Sequence, residues 1–540
     1  MVKAKSVEWA WIGVALSLGA CSMSYELLLA KLMGELFGQE VLCQSLTVGT
    51  FLLGLGFGSW RASDRAGDSS RQLVGIELGL AVLGATAPLL IMTLVTLTKV
   101  LIPEFIIQSE DQQIWMVLGL AFLQPLPFLI GWWSGWELPL IIKASQGVSH
   151  ARILAGSYWG GMFGSWFVPW AGWLHMSVAQ AAWLVGAVNW ATAFVLLLWL
   201  LPNKSRALSH SLLAWFALLA VITLQAPLQR AYLVIHYGQY ALNHLSQPDV
   251  SMLWRIIQRS PPVQRVISSY QNIDLVDESF FSSMGLVGDF TLYLNKKPQF
   301  SAKTFRSYHE SMVLGALNLA KIQPREVVIF GGGDGLIAAE LLKLPFIEKI
   351  TLIELDPVVI QLAKQDPRLL KLNERSLFDA KVEVIIDDAF RFLRERQQPL
   401  TAVFIDFPYP DSFDTTKLFS REFFGSLLSK LDPGGFAVLD APFWRVLSED
   451  MVTPRPWPQD LLLSTIQAAG IKNYLLFGPI EPFLYIATDA DVKLRFDYSL
   501  LPATIESRSL VNMTDIRHLL EDTEIRPEYV NSIFKPRRWR

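Results

Sequence analysis

Apolar residues gather in the first 225 positions as long runs near Trp9–Gly34, Leu42–Trp60, Leu73–Leu97, Ile114–Ile142, Ile153–Leu174, Val178–Leu201 and Ala207–Leu224. Each is long enough to cross a hydrocarbon core of roughly 30 Å, which takes about 20 helical residues. The pattern predicts an α-helical polytopic membrane domain over 1–225, with about seven spans. Residues 226–262 then read as a polar, partly amphipathic connector ending at Ser260-Pro261-Pro262, where proline disfavours helix on the residue before it. Arg265–Val276 alternates as a strand and Phe290–Leu294 is a second, giving a small β-rich lid over 263–305. From 306 to 495 the pattern becomes strand, turn and helix in repetition, and 496–540 is a C-terminal extension. Val327–Phe330, Ile350–Ile353, Val382–Ile386, Ala402–Ile405 and Phe436–Leu439 are continuous apolar runs, as strands buried on both faces require.

Composition agrees with this division. The 540 residues are 52% hydrophobic and 18% charged, too oily for a soluble chain of this size unless the excess is concentrated. Lys3, Lys5 and Leu18-Gly19-Ala20-Cys21 loosely suggest a removable signal, but the apolar run continues past Cys21 and Glu8 is ill placed in one. Cys21 and Cys43 are the only cysteines, so neither a disulfide framework nor a metal knuckle is expected. With the N-terminus inside, the inner loops carry Lys3, Lys5, Arg61, Arg65, Arg71, Lys143, Arg152, Lys204 and Arg206, against Lys31 and Lys99 outside. Seven spans would then put the C-terminal domain outside, whereas a cytosolic cosubstrate needs an even number. Ile114–Ile142, with Pro125, Pro127, Gly131, Gly135 and Pro139, is a candidate for a broken pair, and the short Ala207–Leu224 is another. Glu26, Glu77 and Glu137 are costly at bilayer depth; interfacial solvation, a structural hydrogen bond and a ligand path all account for them.

Gly331-Gly332-Gly333-Asp334-Gly335 follows the first parallel strand, and Glu354 ends the next, about 20 residues on. Glycines let a backbone turn tightly against a ligand, and the acid is placed to accept from ribose hydroxyls. Asp334 would repel a pyrophosphate, so a cationic nucleoside without phosphate fits better: S-adenosylmethionine or its decarboxylated relative. Asp387, Asp388 and Asp406 also fall at strand ends, which open on one crevice in a doubly wound sheet.

In order and spacing, Tyr270-Gln271, Tyr308-His309-Glu310, Gly331–Gly335, Ile353-Glu354-Leu355-Asp356, Asp387-Asp388-Ala389 and Asp406 resemble the spermidine synthases, or polyamine aminopropyltransferases. The resemblance covers roughly 262–490. Tyr25-Glu26 and Gly54-Leu55-Gly56-Phe57-Gly58-Ser59 resemble the family's integral-membrane branch. It implies a Rossmann-like, S-adenosylmethionine-dependent transferase-type domain and decarboxylated S-adenosylmethionine as cosubstrate, without a metal. It also implies roles. Gly331, Gly332, Gly333 and Gly335 would cradle the cosubstrate, Asp334 hold its aminopropyl amine, and Glu354 its ribose. Asp388 and the backbone of Ala389 would meet the adenine edge and Gln271 the nucleoside side. His309 would contact the amine substrate, and Asp406, with Tyr270 beside it, would be the general base. An amine attacks only without its proton, which a nearby carboxylate can take.

The chain departs from the family where a diamine would be gripped. Asp406-Phe407-Pro408-Tyr409-Pro410 puts Tyr409 where the second amine-binding acid belongs, Leu294-Asn295-Lys296 replaces Leu-Asp-Gly, and Thr304-Phe305 replaces Asp-Glu. Putrescine is therefore a poorer expectation than the motif order suggests. Plainer readings also stand: Asp356 as a helix cap, Asp387 or Asp388 likewise, and His309 as a buried hydrogen-bonding residue. The basic tail Lys535–Arg540 suits anionic headgroups or plain solvation. Three functions fit: a membrane-bound aminopropyltransferase-like enzyme, an S-adenosylmethionine-dependent methyltransferase, and a non-catalytic polyamine or nucleoside sensor or a transporter. The expected partners are the lipid bilayer, a small amine and a second copy of the chain, with no nucleic acid. The expected location is a bacterial inner membrane, with the soluble domain cytoplasmic.

Overall fold

The computed structural model describes residues 2–37, 40–63, 67–101, 112–202, 204–243, 263–277, 290–320, 322–410, 413–440, 456, 458–478, 482–488 and 523–537. Much of the expected connector and C-terminal extension lies outside these residues. The chain forms two compact units, the first of Met1–Gly288 with Leu294–Lys296, the second of Asp289–Tyr293 with Lys297–Arg540.

The first unit holds helices α1 (Val2–Phe37), α2 (Glu40–Ser63), α3 (Ser69–Leu101), α4 (Gln112–Leu123), α5 (Pro125–Ala144), α6 (His150–Trp173), α7 (Val178–Leu200) and α8 (Ser205–Asn243). Five of these, α1, α2, α3, α7 and α8, are long and apolar enough to cross a membrane. α5 and α6, at 20 and 24 residues, have the length but are not among these five. The Ile114–Ile142 run does divide, at Gln124 before Pro125, where the missing proline N–H interrupts the helical ladder. Small residues bring the helices close. A methyl on Gly160 of α6 would strike the Leu16 carbonyl of α1, and one on Gly131 of α5 the Phe51 carbonyl of α2, so both contacts are made backbone to backbone. The Gly54–Ser59 pattern has the same use, since methyls on Gly54 and Gly58 would strike Phe128 and Trp132 of α5.

Two expectations change here. The last apolar helix does not stop near 225 but runs to Asn243, because Tyr232, Leu233, Val234 and Ile235 continue a buried face beyond the apolar run. Arg265–Val276 is not one strand but a hairpin of β1 (Val263–Ile267) and β2 (Asn272–Asp277). Ser268 makes the turn, its Oγ accepting from the backbone N–H groups of Tyr270 (3.0 Å) and Gln271 (2.9 Å). The hairpin belongs to the helical unit. Buried Asp274 accepts from Arg265 at 2.7 and 2.6 Å and from the Tyr237 hydroxyl of α8 at 2.6 Å, and the Ile267 carbonyl lies 3.1 Å from His175 Nδ1.

The second unit holds β3 (Phe290–Leu294, all but its last residue), β4 (Lys297–Ser301) and a seven-stranded sheet of β5 (Glu326–Gly331), β6 (Lys349–Glu354), β7 (Val382–Ile386), β8 (Leu400–Asp406), β9 (Leu431–Asp440), β10 (Asn473–Phe477) and β11 (Phe483–Ala487). The sheet order is β10-β11-β9-β8-β5-β6-β7, with β5 to β9 parallel and β11 antiparallel to both of its neighbours, β9 and β10. The described helices are α9 (Phe305–Leu319), α10 (Leu336–Leu342), α11 (Pro357–Gln365), α12 (Pro367–Leu372), α13 (Ala389–Glu395), α14 (Phe413–Thr416), α15 (Arg421–Lys430) and α16 (Pro458–Ala468). They cover both faces of the sheet: one apolar cluster joins Met312, Ile337, Ile360 and Phe404, and the other joins Phe330, Leu393, Phe423 and Leu462. Strand order reverses at β5, where a doubly wound sheet opens its ligand crevice.

Candidate active site

Register builds the site. β5 and β8 run parallel with Gly331 opposite Asp406, and β5 and β6 with Phe330 opposite Ile353, so the glycine turn, Asp406 and Glu354 share one edge. The turn leaves β5 with Gly331 at φ 79°, and Gly335, at φ 82°, starts α10. Both positions are left-handed, and glycine adopts that conformation without steric cost. A Cβ on Gly332 would lie 3.4 Å from Asp406 Oδ2. Asp334 Oδ1 accepts from Leu336 N at 2.9 Å, and the Asp334 carbonyl accepts from Asn373 Nδ2 at 2.8 Å.

Three groups converge. A ligand-capable atom of each of His309, Asp334 and Asp406 lies within 4.8 Å of the others. His309, on α9, is buried, and its Nδ1 lies 2.6 Å from the Phe305 carbonyl. That contact assigns the proton to Nδ1 and leaves Nε2 as an acceptor. Burial lowers the His309 pKa, against the raising effect of Asp334, which favours the neutral ring. Burial raises the Asp334 pKa, with His309 and the Leu336 N–H opposing. Asp406 is pushed well above the usual carboxylate range, by burial first and then by the negative charges of Asp334, Asp440 and Glu354, while a hydrogen bond from the Tyr308 hydroxyl opposes. Such a cluster repels additional negative charge and gains energy from a cation.

Glu354 ends β6 with Oε2 accepting from Gly333 N (3.2 Å) and Oε1 from Asp356 N (2.8 Å). Burial, helped by the charges of Asp356 and Asp334, raises it to about 7 despite those two hydrogen bonds. Asp356 is a helix cap, its Oδ1 accepting from Val358 N at 3.0 Å.

The remaining sequence candidates are more dispersed. Asp388 caps α13, whose first residue is Ala389: its Oδ1 accepts from Phe390 N (2.8 Å) and Arg391 N (3.2 Å), and its Oδ2 pairs with Lys417 Nζ at 2.8 Å. Burial would raise its pKa, but Lys417 and the cap bonds outweigh burial and hold it low. A cavity of about 450 Å³ is lined there by Asp388, Phe390, Arg391, Arg394, Thr416 and Lys417, and does not include Asp334, His309, Glu354 or Asp406. Tyr409 is half-buried, with Lys297 Nζ 5.8 Å from its ring centroid. Tyr270, 55% exposed, and Gln271 lie on the β1–β2 turn of the first unit, whereas the other candidates all belong to the second. Sequence reasoning assigned no role to Tyr308, Lys417, Lys297 or Asp440. Only Tyr308 carried a signal, as a neighbour of His309 in a quoted motif.

A parallel sheet reversed at β5, with a glycine turn and buried acids at the strand ends, defines a Rossmann-like α/β domain of the S-adenosylmethionine-dependent transferase type. Residues 305–451 match the spermine/spermidine synthase domain. The chain is 27% identical over 429 residues to a polyamine aminopropyltransferase of Oceanobacillus iheyensis, covering 78% of this chain and 75% of that one. It is 28% identical over 536 residues to polyamine aminopropyltransferase 2 of Ralstonia nicotianae, covering 93% and 96%. Among solved structures, a spermidine synthase in complex with the transition-state analogue AdoDATO aligns at 21% identity and TM-score 0.39, over 48% of this chain and 89% of that one. The spermidine synthase from Thermotoga maritima aligns at 19% and 0.37, over 48% and 88%. Residues 305–451 thus carry a spermine/spermidine synthase domain, the chain is similar along most of its length to polyamine aminopropyltransferases, and its apolar N-terminal helices fit a membrane branch of such proteins.

Proposed function

We propose that the protein is a membrane-anchored aminopropyltransferase that moves the aminopropyl group of decarboxylated S-adenosylmethionine onto an amine. The observation that carries this reading is the cluster of His309, Asp334 and Asp406, two carboxylates and a neutral imidazole within 4.8 Å, with Glu354 and Asp440 adding negative charge. It would receive a sulfonium nucleoside and an ammonium by charge, with the backbone of Gly331–Gly335 close against the ligand. Asp334 would hold the aminopropyl amine, and Glu354 the ribose hydroxyls. Asp406 would accept the proton of the attacking amine, and Tyr308 would orient its carboxylate.

The amine nitrogen then attacks the methylene carbon bonded to sulfur. The new C–N bond forms as the C–S bond breaks, its electron pair leaves on sulfur as methylthioadenosine, and the surplus proton passes to Asp406. Since sulfonium is a good leaving group, positioning and deprotonation are the main demands on the protein. Asp334 weighs against methyl transfer, because it would face the carboxylate that S-adenosylmethionine keeps and the decarboxylated form lacks.

The acceptor side departs from a diamine site. Tyr409 and Lys297 form a cation–π pair where a second acid is expected. Lys297 would repel a distal ammonium, so the preferred acceptor carries one ammonium group and a neutral or anionic far end. Purified protein should be given each cosubstrate with a panel of mono- and diamines, and the by-product identified. Methylthioadenosine supports the reading, S-adenosylhomocysteine replaces it with methylation, and binding without either leaves a sensor. Protease access in sealed vesicles reports the side of the second unit, for which we propose the cytosol.

A further inference from the structure

Helices α1, α3, α5 and α7 meet at a polar cluster inside the first unit. Glu77 of α3 is 0% exposed, Glu137 of α5 is 6%, Tyr25 of α1 is 1%, and Asn189 of α7 is 0%. Glu137 and Tyr25 are within electrostatic reach of Glu77. Close packing holds them there. The Tyr25 ring rests on Gly84 and the Trp133 ring on Gly79, where added methyls would strike both rings. Asn189 Nδ2 donates to the Glu77 carbonyl at 3.2 Å, and Cys21 Sγ lies 3.8 Å from the Val185 carbonyl.

Among the described residues, both carboxylate oxygens of Glu77, Oδ1 of Asn189 and the hydroxyl of Tyr25 are buried without a partner at hydrogen-bond distance, the Asn189 amide alone coming close enough to act on the Glu77 carboxylate. Among the described residues neither Glu77 nor Glu137 has a cationic partner. Each unsatisfied buried polar group costs roughly 1–3 kcal/mol, and more if charged, so four in one place are not explained by packing. Acids enclosed in a helical bundle of this kind usually serve a ligand or ion.

We propose that this cluster binds a primary ammonium group. The three unpartnered acceptor oxygens, two on Glu77 and one on Asn189, match in number the three N–H donors of an ammonium. Glu137 adds a second carboxylate within electrostatic reach of Glu77. The inference rests on burial inside the first unit, independently of any activity in the second.

The test uses full-length protein in detergent micelles carrying Asp334→Asn and Asp406→Asn, which silence the site in the second unit. Binding of radiolabelled n-butylamine, competed by unlabelled n-butylamine, is measured in choline chloride. Saturable binding is expected, weakened at least tenfold by Glu77→Gln and also weakened by Asn189→Ala, which keeps both carboxylates. Size-exclusion profiles establish that each variant is folded; if Glu77→Gln is not, Asn189→Ala decides. No saturable binding, or binding unchanged in the folded variants, overturns the proposal. Displacement by sodium at concentrations where choline has no effect overturns it too, in favour of an alkali-cation site.

Discussion

Replacing Glu354 by glutamine separates the cost of its charge from the value of its hydrogen bonds. Burial raises the carboxyl from 4.5 to about 7 in the folded protein. A displacement of about 2.5 units, at about 1.4 kcal/mol per unit, makes fully ionised Glu354 cost the fold about 3.5 kcal/mol. The sign follows from proton counting. Between pH 4.5 and about 7 the folded chain binds more protons at this site than the unfolded chain, so its contribution to stability falls as pH rises through that window. Glutamine has no such dependence. It also sets an amide N–H₂ against one of the two backbone donors at Gly333 and Asp356, a penalty of roughly 1–3 kcal/mol that does not change with pH.

The stability difference between Glu354→Gln and the parent should therefore shift in the variant's favour by about 3 kcal/mol from pH 4.5 to pH 8, whatever its starting value. Thermal unfolding of full-length protein in detergent, scanned in half-unit pH steps, reads this directly. For a domain of 150–250 residues, about 1 kcal/mol moves Tm by roughly 2–4 °C, so the relative shift is large enough to see. A difference that stays flat across the window would refute the reasoning, since Glu354 would then titrate as an ordinary glutamate.

Four other expectations are open to measurement. Asp406→Asn should lower kcat for aminopropyl transfer by about 10²–10⁴ while cosubstrate still binds; retention of activity within a few-fold would remove Asp406 as the base. In the parent, burial and the charges of Asp334, Asp440 and Glu354 raise Asp406, so kcat/KM should fall on the acid side at a pH above that of an ordinary aspartate. Lys297→Asp should shift the ratio of kcat/KM for diamine over monoamine about tenfold or more toward the diamine, and an unchanged ratio would detach Lys297 from acceptor choice. Gly160→Leu, which drives a side chain into the Leu16 backbone, should cost at least about 1–3 kcal/mol, checked as a lower Tm in detergent.

The five parallel strands were legible because burial on both faces leaves continuous apolar runs, and the acids at their ends marked the crevice. Glu354 and Asp406 became candidates that way, and Asp334 through the glycine turn that holds it. The Ser268–Gln271 turn was not, because it contains neither glycine nor proline and depends on one serine hydroxyl. The end of α8 was misplaced because hydropathy tracks the apolar run, whereas the helix continues as long as one face is buried. Lys417 lies 29 residues from Asp388 and Lys297 more than 100 from Tyr409, and no local pattern joins such pairs. The same holds for Asn189 and Glu77, brought together from α7 and α3 by packing alone.

The division of the β-rich region bears on how this protein can be dissected. The β1–β2 hairpin goes with the helices, β4 and most of β3 go with the seven-stranded sheet, and Leu294–Lys296 returns to the helical side, where Lys296 Nζ donates to the Glu35 carbonyl at 2.7 Å. The polypeptide thus passes between the two units three times within a few residues, and no single cut frees an intact soluble half. A fragment starting at Val263 would carry Asp274 and Arg265 without Tyr237, exposing a buried ion pair to water. Along the chain the sheet unit is interleaved with the helical unit, so the two are better exchanged between relatives with the whole stretch from Tyr232 to Ser301 kept as one cassette.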